Sequence, residues 1–323
     1  MIISRTPFRI SLFGGGTDYP GWYLNHSGAV LGTTIDKYCY LSVRYLPPFF
    51  EHQSRVVYSK IETIKHIDEI QHPSVKAVLT ELNYQDKGVE IHHFSDLPAR
   101  SGLGSSSSFT VGLINALRAL DGKSSEADWL AQEAIRIEQS TIGEKVGSQD
   151  QVWAANGGVN FIEFEKSGKI NVNSVNIDKE RTNELNDHIL LFFTGVTRIA
   201  ETIAEKQIEN LEKKQTQLKI MHQMAIEAKA LLEVGDIIEI GSMLHESWTL
   251  KKELAKEISN PYIDQLYQTG IDAGACGGKL LGAGGGGFII FFAPPYRHKK
   301  IINALSSLVY VEKNIDSEGS KIV

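Results

Sequence analysis

The first part of the chain alternates between short apolar runs and glycine-rich turns, a pattern typical of strands joined by tight loops. Residues 1–13 alternate as a strand does and lead into the glycine run GGGTDYPGW. Residues 29–46 are rich in β-branched and aromatic side chains and predict long or paired strands. We expect a short helix over 73–83, a strand over 88–93 and a hairpin over 158–175. The pattern therefore predicts a first half built on a sheet.

Helical periodicity begins directly after a serine-rich segment. The apolar positions with helical spacing there are Phe109, Leu113, Leu117 and Leu120. They predict a helix from about Ser105 to Leu120. We expect a second helix over 126–141 and a third that opens near Ser148.

After about residue 180 the composition and the hydrophobic pattern of the sequence change. Residues 198–233 and 236–257 are long, charged and glycine-poor, with apolar side chains on one side, which predicts amphipathic helices. Asn260 as N-cap and Pro261 at the first helical position predict the start of another helix. The segment KLLGAGGGGFIIFF, residues 279–292, predicts a strand, a glycine loop and a second strand.

Length, charge and cysteine content narrow the class of protein. The chain has 323 residues, enough for two domains, and we expect these over 1–180 and 181–323. Lys plus Arg number 33 and Asp plus Glu number 39, so the formal net charge is −6, which argues against nucleic acid as a partner. The two cysteines predict no disulfide framework. The absence of a signal-peptide pattern and of an apolar run of about 18 residues predicts a cytoplasmic protein without a membrane span.

The segment PARSGLGSSSS, from Pro98 to Ser108, precedes the predicted helix and carries the strongest chemical signal. Gly102 and Gly104 allow positive φ angles and close approach of a ligand to the backbone. The free N–H groups at a helix start bind anions such as phosphate, and serine hydroxyls there can reach a phosphate oxygen or Mg²⁺. The alternative is that a serine only caps the helix behind a glycine turn. One glycine with one serine would favour that alternative, whereas two glycines with four serines favour a phosphate-binding loop.

Two common nucleotide-binding fingerprints are not met. The Walker A pattern is absent, and Gly122-Lys123-Ser124 is better interpreted as a turn between helices. The run GAGGGG, from Gly282 to Gly287, contains G-x-G-x-x-G, but an apolar strand follows it where the dinucleotide fingerprint requires a helix. Glycines between two buried strands instead indicate close approach to a ligand or to another backbone, or a plain hairpin turn.

The segment IEQSTIGEKVGSQDQ carries two candidate carboxylates. Ser148 and Gln151 fit a capping box, which would place Asp150 in the first turn of a helix, where the helix dipole favours its charged form. Glu138 lies near the end of the preceding helix. The two carboxylates could divide metal binding and proton transfer between them. The alternatives are a helix-stabilising Asp150 and a solvated Glu138.

The last candidate group follows the first predicted strand. Arg9 lies on that strand, and Thr17 and Asp18 lie just beyond its end in GGGTDYPGW. The Asp18 carboxylate can accept hydrogen bonds from neighbouring hydroxyls. The alternative is an Asx-type turn after a strand.

Together, and in this order, TPFRISLFGGGTDY, PARSGLGSSSSF and KLLGAGGGGF resemble the three motifs of the GHMP small-molecule kinases. The resemblance spans residues 5 to about 292. It implies an α+β protein of two domains: an N-terminal domain like domain 2 of ribosomal protein S5, and a ferredoxin-like C-terminal domain.

The resemblance implies ATP as phosphoryl donor and Mg²⁺ as metal ion. Its second motif assigns nucleotide binding to Pro98, Ser101, Gly102, Leu103, Gly104, Ser105, Ser106 and Ser107. The implied metal ligands are Glu138 and a loop serine, Ser105 or Ser106. Galactokinase-like members place the Asp of a D-Q pair near the acceptor and pair it with an Arg of the first motif. The matching positions here, taken as catalytic, are Asp150 and Arg9.

Within the family, GGGTDYPGW, TTIDKYCY and VGSQDQVWAANGG resemble kinases of D-glycero-D-manno-heptose phosphate. Galactokinase carries Glu-His where this chain has Gly15 and Gly16, and the loss of two polar contacts leaves room for a longer sugar. Asp18 favours a polyhydroxylated acceptor. The implied reaction converts heptose 7-phosphate to the 1,7-bisphosphate. A fucose- or galactose-type C1 kinase and a non-catalytic ATP- and sugar-binding relative remain as alternatives.

A 7-phosphate substrate needs a cationic partner about a sugar length from the reacting hydroxyl. In LLFFTGVTRIA, residues 190–200, Thr197 can cap a helix whose first turn contains Arg198, and arginine matches phosphate bidentately. The alternative is that Arg198 pairs with Glu201 or Glu205. Weaker candidate anchors are Arg44 and Arg100. The full set of expected substrate contacts is Gly15, Gly16, Thr17, Asp18, Arg198, Gly284 and Gly285. We expect a monomer or a homodimer.

Overall fold

A computed structural model of the chain describes residues 1–99, 101–196 and 200–323. Its strands are β1 (Ile2–Phe13), β2 (Gly28–Tyr45), β3 (Ser54–Val57), β4 (Ile61–Ile64), β5 (Val89–Ser95), β6 (Val159–Phe164), β7 (Ile170–Ser174), β8 (Ile189–Phe193), β9 (Gly277–Leu280), β10 (Phe288–Phe292), β11 (Val309–Val311), β12 (Ile315–Asp316) and β13 (Lys321–Ile322). Its α-helices are α1 (Pro20–His26), α2 (Pro73–Glu81), α3 (Ser105–Leu120), α4 (Ala127–Arg136), α5 (Gln149–Asn156), α6 (Lys179–His188), α7 (Ala200–Asn210), α8 (Gln215–Val234), α9 (Ile237–Lys252), α10 (Pro261–Asp272) and α11 (His298–Ala304).

The first sheet is organised around the long strand β2. Its order is β13-β1-β2-β5-β3-β4, and β6 and β12 also pair with β2. The first part of β2, residues 28–33, pairs with β6, and residues 39–45 pair with β5, so one strand serves two sets of neighbours. Along nearly its whole length β2 also pairs antiparallel with β1. The β-branched and aromatic run of the sequence therefore forms one long strand.

The second sheet has four strands in the order β11-β8-β10-β9, all antiparallel. In chain order the unit runs strand, helices, two strands, helix, strand, with α7, α8, α9 and α10 in the first crossover. A β-α-β-β-α-β order with strands arranged 4-1-3-2 is the ferredoxin-like topology. The predicted α+β fold class is thus confirmed.

The end of the chain returns to the first sheet. Strand β12 pairs with β2 at Ile315 and Ile35, and β13 pairs with the start of β1. The Tyr38 hydroxyl donates to Asp316 Oδ2 at 2.8 Å and reinforces the first of these pairings. Residues 315–322 therefore extend the N-terminal sheet. For the rest of the chain, the division into domains 1–180 and 181–323 stays a prediction.

Several helix boundaries differ from those that the periodicity of the sequence predicted. The helix expected over 126–141 ends as an α-helix at Arg136 and continues as a π-helical turn over Ile137–Ile142. The stretch expected as one helix up to residue 233 is divided at Leu211–Lys214, which form a 3₁₀ turn. The cap predicted for α10 is confirmed, because Asn260 Oδ1 accepts a hydrogen bond from the Ile263 N–H at 3.0 Å.

Helix α3 lies close against β1, and this contact sets the position of the serine-rich loop. A Cβ atom on Gly112 would lie 2.7 Å from Thr6 Oγ1 and 3.2 Å from Ser4 Oγ. The Ser4 hydroxyl donates to the Gly112 carbonyl at 2.8 Å, and the Ser108 hydroxyl donates to the Pro7 carbonyl at 2.8 Å. The start of α3 is thereby fixed beside the middle of β1, where Arg9 lies.

In the described part of the chain, no helix combines the length and apolar character needed to cross a lipid bilayer.

We expect Gly112→Val to destabilise the protein by about 1–3 kcal/mol, because the added methyl groups would force α3 away from β1. The free energy of unfolding in urea measures the effect. Ala119→Val in the half-buried last part of the same helix is the matched control and should cost less than about 1 kcal/mol. Equal costs for the two variants would contradict the close packing of α3 on β1.

Candidate active site

The serine-rich loop ends at the start of α3. Gly104 precedes the helix with a left-handed φ of 75°, which glycine adopts without strain. The helix begins at Ser105, as the periodicity predicted. The first N–H groups of an α-helix have no acceptor inside the helix and carry a positive partial charge. This end of α3 is therefore suited to bind phosphate oxygens.

The two glycine-rich loops touch each other through their backbones. A Cβ atom on Gly102 would lie 2.5 Å from the Leu281 carbonyl oxygen, and one on Gly282 would lie 2.5 Å from Gly102 Cα. The Phe288 N–H donates to the Ser101 carbonyl at 3.0 Å. The glycines after β9 thus allow close approach to another backbone. The loop that contains them packs against the serine-rich loop and supports it.

Other members of these loops have structural contacts of their own. The Gly284 Cβ position is blocked by the Ile258 backbone, and the Gly285 N–H donates to the Ile258 carbonyl at 2.9 Å. Pro98 lines a groove of about 430 Å³ together with strand β11. The roles predicted for Gly284 and Gly285 in substrate binding, and for Pro98 in nucleotide binding, stay predictions.

Arg9 and Asp150 form a bidentate ion pair beside the serine-rich loop. Arg9 Nε donates to Asp150 Oδ1 and Nη2 donates to Oδ2, both at 2.8 Å. The third nitrogen, Nη1, donates to the Gly102 carbonyl at 2.6 Å, and the Arg9 N–H donates to the Leu103 carbonyl at 3.1 Å. The Arg9 side chain is 5% exposed while that of Asp150 is 26% exposed. Asp150 therefore has a fixed orientation and an open side.

Gly104 lies under this pair. A Cβ atom there would be 3.3 Å from Arg9 Cγ and 3.4 Å from Asp150 Cγ. The start of α3, the arginine and the carboxylate are consequently in direct contact. Predictions made from three separate segments converge on one place in the fold.

Asp18 is the second carboxylate at this place. Its Oδ1 accepts from the Gly16 N–H at 2.9 Å, and a Cβ atom on Gly147 would lie 1.9 Å from its Oδ2. Asp18 is buried, and burial raises the pKa of its carboxyl, with the nearby charge of Asp150 acting in the same direction. The Thr17 hydroxyl is occupied by backbone, donating to the Gly14 carbonyl at 2.8 Å. Thr17 thus shapes the turn that presents Asp18.

Glu138 is fully buried in the π-helical turn that follows α4. Its Oε2 accepts from the Ser107 hydroxyl at 2.9 Å and from Gln151 Nε2. Burial is the main reason that the pKa of Glu138 is raised to about 7; the charge of Glu144 acts in the same direction, and the side chains of Thr110, Gln151 and Ser107 oppose the shift. Glu138 is therefore no solvated surface charge.

The capping box predicted at Ser148 and Gln151 is wrong. The Ser148 side chain makes no cap hydrogen bond to α5, and its hydroxyl instead contacts Gln139 Nε2 at 3.1 Å. Gln151 instead donates to Glu138, because a buried carboxylate that is left without donors is costly. Asp150 nevertheless lies in the first turn of α5, as predicted.

The Glu138 environment is compatible with a divalent cation. Its Oε1 is buried and forms no hydrogen bond with the described residues, and such an unsatisfied oxygen is costly unless a cation or donor binds it. No group of three or more His, Cys, Asp or Glu side chains that could hold a metal ion occurs in the described ranges. Mg²⁺ commonly uses one or two carboxylates together with substrate phosphates. The hydroxyl hydrogen-bonded to Glu138 is that of Ser107; Ser105 and Ser106 precede it on α3.

Comparisons with known proteins show the family of the chain. A family model described as GHMP kinases N terminal domain matches residues 70–158, and one described as GHMP kinases C terminal matches residues 228–311. The D-glycero-alpha-D-manno-heptose 7-phosphate kinase of Campylobacter jejuni is 30% identical over 94% of this chain and 93% of its own length. The chain belongs to the GHMP kinase family. The resemblance inferred from its three motifs is confirmed, and the protein is a kinase.

Two further similarities extend over most of this GHMP kinase. The bifunctional fucokinase/GDP-fucose pyrophosphorylase of Arabidopsis thaliana is 25% identical over 89% of this chain, which spans only 29% of that longer protein. The crystal structure of a D-glycero-D-manno-heptose 1-phosphate kinase from Bacteroides thetaiotaomicron has a TM-score of 0.83 at 24% identity, covering 100% of this chain and 99% of that one. That likeness shows the shared fold.

Some residues predicted for this GHMP kinase cannot be related to the site. Arg198, the expected anchor of the substrate phosphate, lies outside the described residues, as do Thr197 and Arg100. Arg44 lies on β2, where its Nε donates to Glu90 Oε2 at 2.6 Å. The described residues thus leave the phosphate anchor as a prediction.

Two buried lysines were missed by the sequence analysis. Lys251 and Lys279 are 5% and 2% exposed, and their Nζ atoms donate to the Gly282 carbonyl at 2.5 Å and the Leu12 carbonyl at 2.8 Å. A signal was present for Lys251, because it follows Trp248 on the apolar stripe of its helix at the spacing of a core residue. Lysine at such a position is easily assigned to the solvated face.

The raised pKa of Glu138 predicts a pH-dependent stability. Its carboxyl binds a proton more tightly in the folded chain than in the unfolded chain, so its favourable contribution is present below pH 4.5 and is lost as pH rises through 7. In metal-free buffer, Glu138→Gln should therefore gain stability relative to the parent between pH 5 and 8, by about 2–3 kcal/mol.

Urea unfolding of both proteins across this range measures the difference. Glu246→Gln, on an exposed part of α9, is the control and should show no such trend. A constant difference between Glu138→Gln and the parent from pH 5 to 8 would show that Glu138 is charged throughout.

Proposed function

We propose that this GHMP kinase transfers the γ-phosphoryl group of ATP to the anomeric hydroxyl of D-glycero-D-manno-heptose 7-phosphate, forming the 1,7-bisphosphate. The observation that carries the proposal is the position of Asp150, fixed by Arg9 and open on one side, next to Gly104, the residue that precedes α3. An acceptor-binding carboxylate and a phosphate-binding helix start are adjacent.

The proposed reaction needs few chemical groups. The acceptor hydroxyl oxygen forms a bond to the γ-phosphorus, the bond from that phosphorus to the bridging oxygen of ADP breaks, and Asp150 accepts the hydroxyl proton. Because such transition states are loose, catalysis depends mainly on positioning and charge stabilisation. Arg9 orients both oxygens of Asp150 and, through Gly102, fixes the carboxylate relative to the phosphate loop.

We assign the metal site to Glu138 and the serines at the start of α3. Bound Mg²⁺ would neutralise phosphate charge and orient the β- and γ-phosphates. Oε1 of Glu138 is available for this, since Ser107 and Gln151 both bond to Oε2. Ser107, Ser105 and Ser106 are the candidate hydroxyl ligands.

The sugar-phosphate acceptor is supported by similarity and by Asp18. The C. jejuni relative is a heptose 7-phosphate kinase by name and matches over nearly the full length of both chains. Asp18 is a buried acceptor presented by a glycine-rich turn, as suits recognition of a hydroxylated ligand. We retain Arg198 as the proposed anchor of the distal phosphate.

The alternatives are a fucose- or galactose-type C1 kinase and a non-catalytic relative. A sensor that binds ATP and sugar would not require the complete arrangement of Arg9, Asp150 and Glu138. An acceptor assay with Mg-ATP distinguishes these possibilities. The acceptors compared are heptose 7-phosphate, unphosphorylated heptose, heptose 1-phosphate, fucose and galactose. Under our proposal the 7-phosphate is the preferred acceptor and the product is phosphorylated at C1. Preference for heptose 1-phosphate, or equal use of the unphosphorylated heptose, would contradict it.

We expect Asp150→Asn to lower kcat by about 10²–10⁴-fold, because the amide cannot accept the acceptor proton. ATP affinity should be nearly unchanged. Steady-state kinetics and nucleotide calorimetry measure the two quantities separately.

The control is Asp128→Asn, which removes an exposed carboxylate from the first turn of α4 and should leave kcat unchanged. It tests whether Asp150 acts only as a helix stabiliser. Near-normal turnover of Asp150→Asn would remove this residue from the proposed mechanism.

A further inference from the structure

Lys251 occupies a position where lysine is rarely found. It lies in the last turn of α9, on the buried stripe that also contains Leu244 and Trp248. The negative end of the helix dipole favours a cation there. Burial of an ammonium group is nevertheless costly unless a partner compensates it, so the contacts of this side chain require an explanation.

The partner of Lys251 is a peptide carbonyl of the second glycine-rich loop. Its Nζ donates to the Gly282 carbonyl at 2.5 Å and, within the described ranges, takes part in no ion pair with a carboxylate. The charged groups that act on it are Arg9 of β1, Asp18 after β1 and Asp150 of α5, while Lys279 of β9 is in turn affected by Lys251. Lys251 thus brings a cation from a helix of the second half of the chain to the active site of the first.

The bonded peptide lies directly against the phosphate loop. A Cβ atom on Gly282 would lie 2.5 Å from Gly102 Cα, and one on Gly102 would lie 2.5 Å from the carbonyl oxygen of Leu281, the residue before Gly282. The Gly102 carbonyl accepts from Arg9 Nη1, and Arg9 holds Asp150. Contacts therefore run from Lys251 through Gly282 and Gly102 to the Arg9–Asp150 pair.

We infer that Lys251 is a positioning residue, whose ammonium group holds the Gly282 peptide against the phosphate loop and thereby sets the affinity for Mg-ATP. This inference rests on the proposed ATP-dependent phosphoryl transfer at the same loop. It assigns a task to a residue that touches neither the acceptor carboxylate nor the metal ligands in the structure.

The effect of the Lys251 charge on stability distinguishes this role from ordinary core packing. Burial, together with the charge of Arg9, lowers the pKa of Lys251 to about 8, and Asp18 and Asp150 oppose the shift. Since the unfolded chain binds this proton more tightly, the charged lysine weakens the fold at neutral pH, and that penalty declines as pH rises above about 8. A buried charge that destabilises the fold is expected where it serves a function.

The experiment compares Mg-ATP affinity by calorimetry, and melting temperature, for the parent, Lys251→Met, Lys251→Arg and Lys252→Met at pH 7 and 9. At pH 7 we expect Lys251→Met to bind Mg-ATP about tenfold more weakly, as for loss of one charge-assisted hydrogen bond, without a lower melting temperature. Lys251→Arg should retain most of the affinity. Lys252 pairs with Asp264 at the surface, and its variant should match the parent.

The pH arm does not depend on whether Lys251→Met folds, because it compares the parent with Lys251→Arg. Between pH 7 and 9 the parent should lose affinity as Lys251 becomes neutral, whereas Lys251→Arg should not. Arg9, Asp18, Asp150 and Lys279, the charged groups that act on this position or respond to it, are present in both proteins. Parent-like affinity of Lys251→Met, or affinity lost equally in the Met and Arg variants together with a lower melting temperature, would overturn the inference.

Failure of the proposed function would give a different result. If the parent binds Mg-ATP but phosphorylates none of the acceptors, the proposed reaction is overturned. The Mg-ATP affinities of the parent and the variants then still decide the inference about Lys251. A parent that binds no Mg-ATP would overturn both.

Discussion

The structure depends on one largely buried ion pair, Arg9 with Asp150, whose side chains are 5% and 26% exposed. Arg9 is almost completely buried, and each of its three side-chain nitrogens donates a hydrogen bond: two to Asp150 and one to the Gly102 carbonyl. Removing two charges from water is repaid only when geometry is good and the remaining donors are satisfied. Both conditions are met here. Strand β1, the loop before α3 and the start of α5 are consequently fixed relative to one another.

Glycine makes this arrangement possible through the absence of a side chain. The Gly102 and Gly282 backbones are in contact, and Gly147 lies against the Asp18 carboxylate at a distance that no Cβ atom would allow. The glycine-rich motifs therefore do two things: they leave space for a ligand at the start of α3, and they let the second half of the chain support that loop directly. The buried lysines Lys251 and Lys279 donate hydrogen bonds to the carbonyls of Gly282 and Leu12.

Local features of the fold could be predicted because they depend on neighbouring residues. The start of α3 at Ser105 follows from side-chain periodicity, and the cap at Asn260 follows from local hydrogen bonding. The convergence of Arg9, Asp150 and the phosphate loop was implied by family resemblance. Strands β12 and β13 are two residues each and have no pattern of their own, so their return to the first sheet could not be predicted.

The errors have the same physical origin. Gln151 satisfies a buried carboxylate instead of forming a capping box, and Lys251 is buried on the apolar stripe of α9 because a carbonyl of a distant loop accepts its hydrogen bond. In both cases a contact between segments far apart in sequence outweighs a local preference. Spacing alone contains no information about such partners.

The central claim is that Arg9 and Asp150 act as one unit, and a double-mutant cycle tests it most directly. The variants are Arg9→Met, Asp150→Asn and the two combined, and the quantity is kcat/KM for the acceptor that the parent phosphorylates. The account predicts that the double variant is scarcely worse than either single one, with a coupling free energy of at least about 2 kcal/mol. Additive losses in the double variant would show that the two residues act independently and would contradict the account.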